Sequence, residues 1–154
     1  MDCKYTCAIL GCVFNLLLTI PRAQAAALPD ACSLLTPAQV NAVLGISVKA
    51  GEPSPGNILC EWPPPSPTNT KRVEVSVSDS SNWAMEKAPP AGAGVETTPV
   101  NGIADDAFYL KTAGETMLYV KKGKVEFFVL VHGFPVDQVK AKEKTLAQQV
   151  LTKL

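Results

Sequence analysis

The sequence predicts an α+β domain: a single curved antiparallel sheet, packed on one face by an N-terminal helix and a long C-terminal helix. Three observations carry that expectation. Val73, Val75 and Val77 alternate with Glu74, Ser76 and Ser78, the period of a half-buried strand. Thr116–Val120 and Val125–Val131 are two apolar runs joined around Lys122-Gly123, a hairpin signal that favours antiparallel pairing. Val139, Leu146, Val150 and Leu154 form an apolar stripe along a segment whose Lys140, Lys142 and Lys144 can stay in water, as a helix lying on a core requires.

The elements follow in order. Leu35-Thr36-Pro37-Ala38-Gln39-Val40 is a well-formed helix start. Thr36 can cap free backbone donors, Pro37 suits the first helical position, Gln39 can complete a capping box, and Leu35 can staple onto Val40. Gly45 is placed to end this helix in the left-handed conformation. Residues 51–57 hold two glycines and two prolines and read as a loop. Ile58–Trp62 is a short strand. Pro63, Pro64, Pro65 and Pro67 then forbid a ladder and stiffen a surface connection. The alternating strand around Val75 precedes a short helix over Asn82–Ala88 and a Pro/Ala/Gly loop over Ala88–Gly94. Val100-Asn101-Gly102 turns into a strand containing Phe108-Tyr109-Leu110. The strand from Val125 is apolar on both faces, with Val125, Phe127, Val129 and Val131 on one side and Phe128 and Leu130 on the other, so a central place is expected. The final helix runs from Val136 to Leu154.

Residues 1–25 read as a signal peptide, with the single domain over 26–154. Lys4 gives a positive start, Tyr5–Ile20 is almost wholly apolar, and Ala23-Gln24-Ala25 fits a cleavage site. The apolar run is short for a transmembrane anchor, and no stable membrane span is expected after cleavage. Ile9-Leu10-Gly11-Cys12 loosely imitates a lipoprotein site, so anchoring through an acylated Cys12 is the alternative to a secreted or periplasmic protein.

Cleavage removes Cys3, Cys7 and Cys12 and leaves Cys32 and Cys60. Two cysteines in an oxidising compartment are expected to pair; a catalytic or metal-binding thiol is the alternative. No Cys-x-x-Cys occurs, and His132 is the one histidine, so neither a metal site nor a cofactor is expected. Removing Lys4, Arg22 and Asp2 from the 14 basic and 14 acidic side chains leaves 12 and 13. That near-neutral balance argues against nucleic acid as a partner.

Asp30-Ala31-Cys32-Ser33-Leu34-Leu35-Thr36, then Val40, Val43-Leu44-Gly45 and Cys60-Glu61-Trp62, resemble a family of small bacterial exported proteins and lipoproteins of unknown function, best known from actinobacteria. Gly102-Ile103-Ala104-Asp105-Asp106-Ala107 resembles that family's Gly-hydrophobic-Gly-Asp-x-Ala segment, with Ala104 where glycine is common. Met117–Val131 resembles its final hairpin. The resemblance implies that the two cysteines pair, and it implies no activity.

Candidate chemistry is sparse. Asp105-Asp106 is the paired carboxylate of the domain, but adjacent strand residues point opposite ways, and aspartates readily serve turns. His132 follows an apolar strand, and a general base needs an orienting partner. No Gly-x-Ser-x-Gly or Ser-x-x-Lys occurs. The expected function is therefore a non-catalytic secreted or envelope binding module whose partner is an envelope or extracellular protein, a lipid or a small ligand. Trp62, Trp83, Phe108 and Tyr109 are its candidate contact residues, because aromatics supply contact area at low entropic cost. The alternative is an unrecognised hydrolase or metal-dependent enzyme using Asp105, Asp106 and His132.

Overall fold

The computed structural model describes residues 27–154. The signal segment 1–25, its cleavage site and Cys12 lie outside the described residues. Seven strands form one sheet: β1 Glu52–Pro53, β2 Leu59–Trp62, β3 Arg72–Asp79, β4 Glu96–Pro99, β5 Asp106–Lys111, β6 Thr116–Lys122 and β7 Val125–His132. The order is β1-β2-β3-β7-β6-β5-β4, and every neighbouring pair is antiparallel. Two meanders thus meet along β3 and β7. The strand with apolar residues on both faces, β7, is the central one, as its sequence predicts.

Helices α1 (Pro37–Leu44) and α3 (Val136–Leu151) cover one face. Beneath them Val73, Val75, Val77, Phe127, Val129 and Leu118 form a core with Val40 and Leu44 of α1 and Leu146, Ala147 and Val150 of α3. The start of α1 is built as the sequence reads. Thr36 Oγ1 accepts from the Gln39 amide at 3.3 Å, Gln39 Oε1 accepts from the Thr36 amide at 2.9 Å, and Gly45 closes the helix at φ 72°.

Cys32 and Cys60 form a disulfide with their Cα atoms 5.0 Å apart. It ties the turn before α1 to β2, beside the fully buried Trp62. Gly51 leaves the room it needs: a Cβ there would stand 2.5 Å from Cys60 Sγ and 3.2 Å from Trp62.

Two features depart from the sequence reading. Residues 51–57, read as a loop, contain β1, and β4 precedes β5 as a second edge strand. Both are very short and end in proline, which an edge tolerates and a central strand does not. The third helix, α2 (Trp83–Lys87), lies on the sheet face opposite α1 and α3.

Glu143 of α3 is 0% exposed inside the helix-covered core. The pairing of β6 with β7 stops at Met117–Leu130, and Glu143 Oε1 accepts from the next amide, Val131, at 3.3 Å. Burial pushes its carboxyl up to about 9, so it is held as the neutral acid at pH 7.

Candidate functional site

The open face of the sheet carries a ladder of aromatic side chains. Phe108, Tyr119 and Phe128 are register neighbours on β5, β6 and β7. Phe108 and Tyr119 stack at 5.0 Å with planes 4° apart, and Tyr119 meets Phe128 at 5.4 Å. Trp83 of α2 caps the ladder at a ring distance of 5.0 Å from Phe108. Local sequence places it there. Asp79 ends β3 and accepts from the Ser81 amide at 3.0 Å, one 3-10 turn follows, and α2 begins at Trp83.

Asp106 fixes α2 to β5. Its Oδ2 accepts from Lys87 Nζ at 2.6 Å and from Trp83 Nε1 at 2.9 Å. These two donors, Lys87 first, hold its carboxyl below the usual range. Thr97 Oγ1 of β4 donates to the Lys87 carbonyl at 3.0 Å. Between α2 and β4–β5 lies a groove of about 590 Å³ lined by Trp83, Ala84, Lys87, Ala88, Thr97, Pro99, Asp106 and Phe108. Its wall is mainly apolar, and its one cation and one anion are paired with each other. Such a concavity suits an apolar group, with polar selectivity confined to one rim.

The four aromatics expected at a contact surface divide into two pairs. Trp83 and Phe108 pack on each other beneath this groove, 6% and 0% exposed. Trp62 is buried beside the disulfide on the helix-covered face. Tyr109 also points to that face, where its hydroxyl donates to the Lys140 carbonyl at 2.8 Å and the Lys140 ammonium stands 4.9 Å from its ring.

Asp105, Asp106 and His132 do not converge. Asp105 Oδ2 accepts from the Gly123 amide at 2.6 Å and so pins the β6–β7 turn. Asp106 points into the groove. Lys121 is the register partner of both Asp106 and Glu126, and His132 lies six residues further along β7. At 3.3 Å per residue that is roughly 20 Å. His132 Nε2 lies 2.9 Å from Glu74 Oε1, and Nδ1 lies 2.9 Å from Glu115 Oε1. Glu74 also meets Arg72 at 3.2 Å, and Arg72 meets Glu61 at 3.5 Å. The orienting partners the sequence did not reveal are therefore present, but they occupy both ring nitrogens, and a base needs one of them free. Only strand register brings Glu74 beside His132; nothing in the linear spacing signals it. Likewise Lys87, Thr97 and Pro99 join the groove through α2 and the edge strand, and no motif marks them.

Among the described residues no group of three or more His, Cys, Asp or Glu side chains is arranged to hold a metal ion. No described helix is long and apolar enough to cross a membrane. The disulfide is compatible with an oxidising, extracytoplasmic location. Comparison of the chain with protein-family models, curated proteins and solved structures finds no match.

Proposed function

We propose that this chain is an exported, non-catalytic binding module of the bacterial envelope or extracellular space. Its site is the groove over Trp83 and Phe108, which receives an apolar group of an envelope protein, a lipid or a small ligand. The observation that carries the reading is an apolar groove, with Ala84, Ala88 and Pro99 as its exposed lining over the buried Trp83–Phe108 pair, whose rim charges neutralise each other. Asp106 is already engaged by Lys87 and the Trp83 indole, so the rim's carboxylate and ammonium serve to position α2. The signal-like residues 1–25 and the Cys32–Cys60 disulfide support export, and the resemblance to small exported bacterial proteins supports a place in the envelope.

The test is dye binding to the folded, oxidised domain. Anilinonaphthalene sulfonate should gain fluorescence with the wild type and lose that gain in Ala84→Trp. Ala84 is exposed on α2, so the added ring fills the groove without entering the core. Equal fluorescence in both proteins, or none in either, would refute the site.

A further inference from the structure

A second pair of carboxyl groups lies beneath α2, away from the groove. Glu86 of α2 and Glu126 of β7 face each other within hydrogen-bonding reach. Glu126 is 2% exposed. Its Oε1 accepts from Ser78 Oγ at 3.0 Å, whereas its Oε2 and the Oε2 of Glu86 are buried without a donor. Buried acceptors left unmatched are costly, and two carboxylates that share a site resist ionising together. One proton between them removes both penalties, because it turns one carboxyl into a donor for the other.

The surroundings favour that proton. Asp79, at the end of β3, adds negative charge beside Glu126. Tyr119 of β6 stays protonated, its phenol pushed up to about 12 by burial and then by these two carboxylates. Lys87, next to Glu86, is committed to Asp106. Lys121, the register partner of Glu126 on β6, brings a positive charge to the same face and works against the proton. Burial, ahead of every other cause, raises both carboxyls above the ordinary range.

We infer that Glu86 and Glu126 share one proton and that this proton latches α2 onto the sheet. When it leaves to solvent, two facing carboxylates remain, and α2 pivots away from β7 about its anchor at Asp106 and Phe108. The groove has α2 as one wall, so it widens as pH rises. That last consequence rests on the binding reading; the latch itself does not.

The experiment is hydrogen exchange of the α2 amides in ligand-free, oxidised protein between pH 5 and 9, corrected for intrinsic rates. Above the midpoint, opening of α2 should rise about tenfold per pH unit, the slope of one linked proton, while α3 stays protected. Glu126→Gln and Glu86→Gln each place a permanent amide donor against the remaining carboxylate, so both should flatten the slope. Wild-type protection of α2 that ignores pH, or the same slope in both variants, would overturn the latch. Restoration of protection at high pH by calcium would also overturn it, because the pair would then be a cation site. Dye binding in the groove is not read, so a failure of the binding reading leaves this outcome intact.

Discussion

Ala104 offers a test of the backbone on which the groove is built. It leads into β5 with φ at 49°, two residues after Gly102 at φ 76°. An L-residue in that region brings Cβ against the following carbonyl at a cost of about 1–2 kcal/mol. Ala104 is exposed, so its methyl recovers nothing by burial. Ala104→Gly removes the steric cost but adds about 0.4–1 kcal/mol of unfolded-state entropy. The net expectation is a gain of roughly 0.5–1 kcal/mol, or about 2–4 °C in Tm. Ala104→Val should move the other way by more than about 1 kcal/mol, since a β-branched side chain fits this region worst. Urea titration of the oxidised proteins by circular dichroism measures both, with an unchanged denaturant slope showing that the unfolded states are comparable. A lower midpoint for Ala104→Gly would refute the left-handed turn.

Further outcomes follow from named contacts and from the N-terminal sequence. Cys60→Ala should lower stability by about 3–4 kcal/mol from loop entropy alone; Gly51→Ala should cost roughly 1–3 kcal/mol by crowding the bridge, and less in the Cys60→Ala background, so strict additivity would contradict the packing. Glu143 keeps its proton up to about pH 9 in the folded chain against 4.5 for the ordinary carboxyl; the native state then holds a proton that the unfolded state has lost, so this group's contribution to stability falls as pH rises between those values. Glu143→Gln should abolish that fall, and parallel urea profiles for the two proteins would refute the buried acid. N-terminal sequencing of exported material should begin at Ala26, whereas an acylated Cys12 start would replace the soluble reading with a membrane-anchored lipoprotein.

Much of the fold was legible because local chemistry and burial agree. Thr36, Pro37 and Gln39 specify a helix start whatever lies around them, and β7 announces a central strand by being apolar on both faces. The edge strands β1 and β4 were not legible: two to four residues ending in proline carry no period, and only pairing with β2 and β5 defines them. The site was half legible. Trp83 and Phe108 do pack together, but Phe108 and Tyr109 are adjacent on one strand, and alternation sends them to opposite faces. Asp105 and Asp106 separate for another reason: Asp105 precedes β5 and accepts from the Gly123 amide, the turn role aspartates readily take. Glu86, Glu126 and the carboxylates around His132 came together through sheet register and the placement of α2, which no spacing within the chain encodes.

Titration with 1-naphthol, followed through the two indole N–H resonances of nitrogen-labelled protein, shows whether an apolar group enters the groove over Trp83. Trp62 is buried on the other face and serves as an internal control, while the Trp83 indole hydrogen-bonds to Asp106 at the groove wall. The Trp83 signal should shift saturably together with the Thr97 and Phe108 amides, with the Trp62 signal unmoved. Shifts confined to the α1–α3 face or to the surroundings of His132, with Trp83 silent, would contradict binding in the groove.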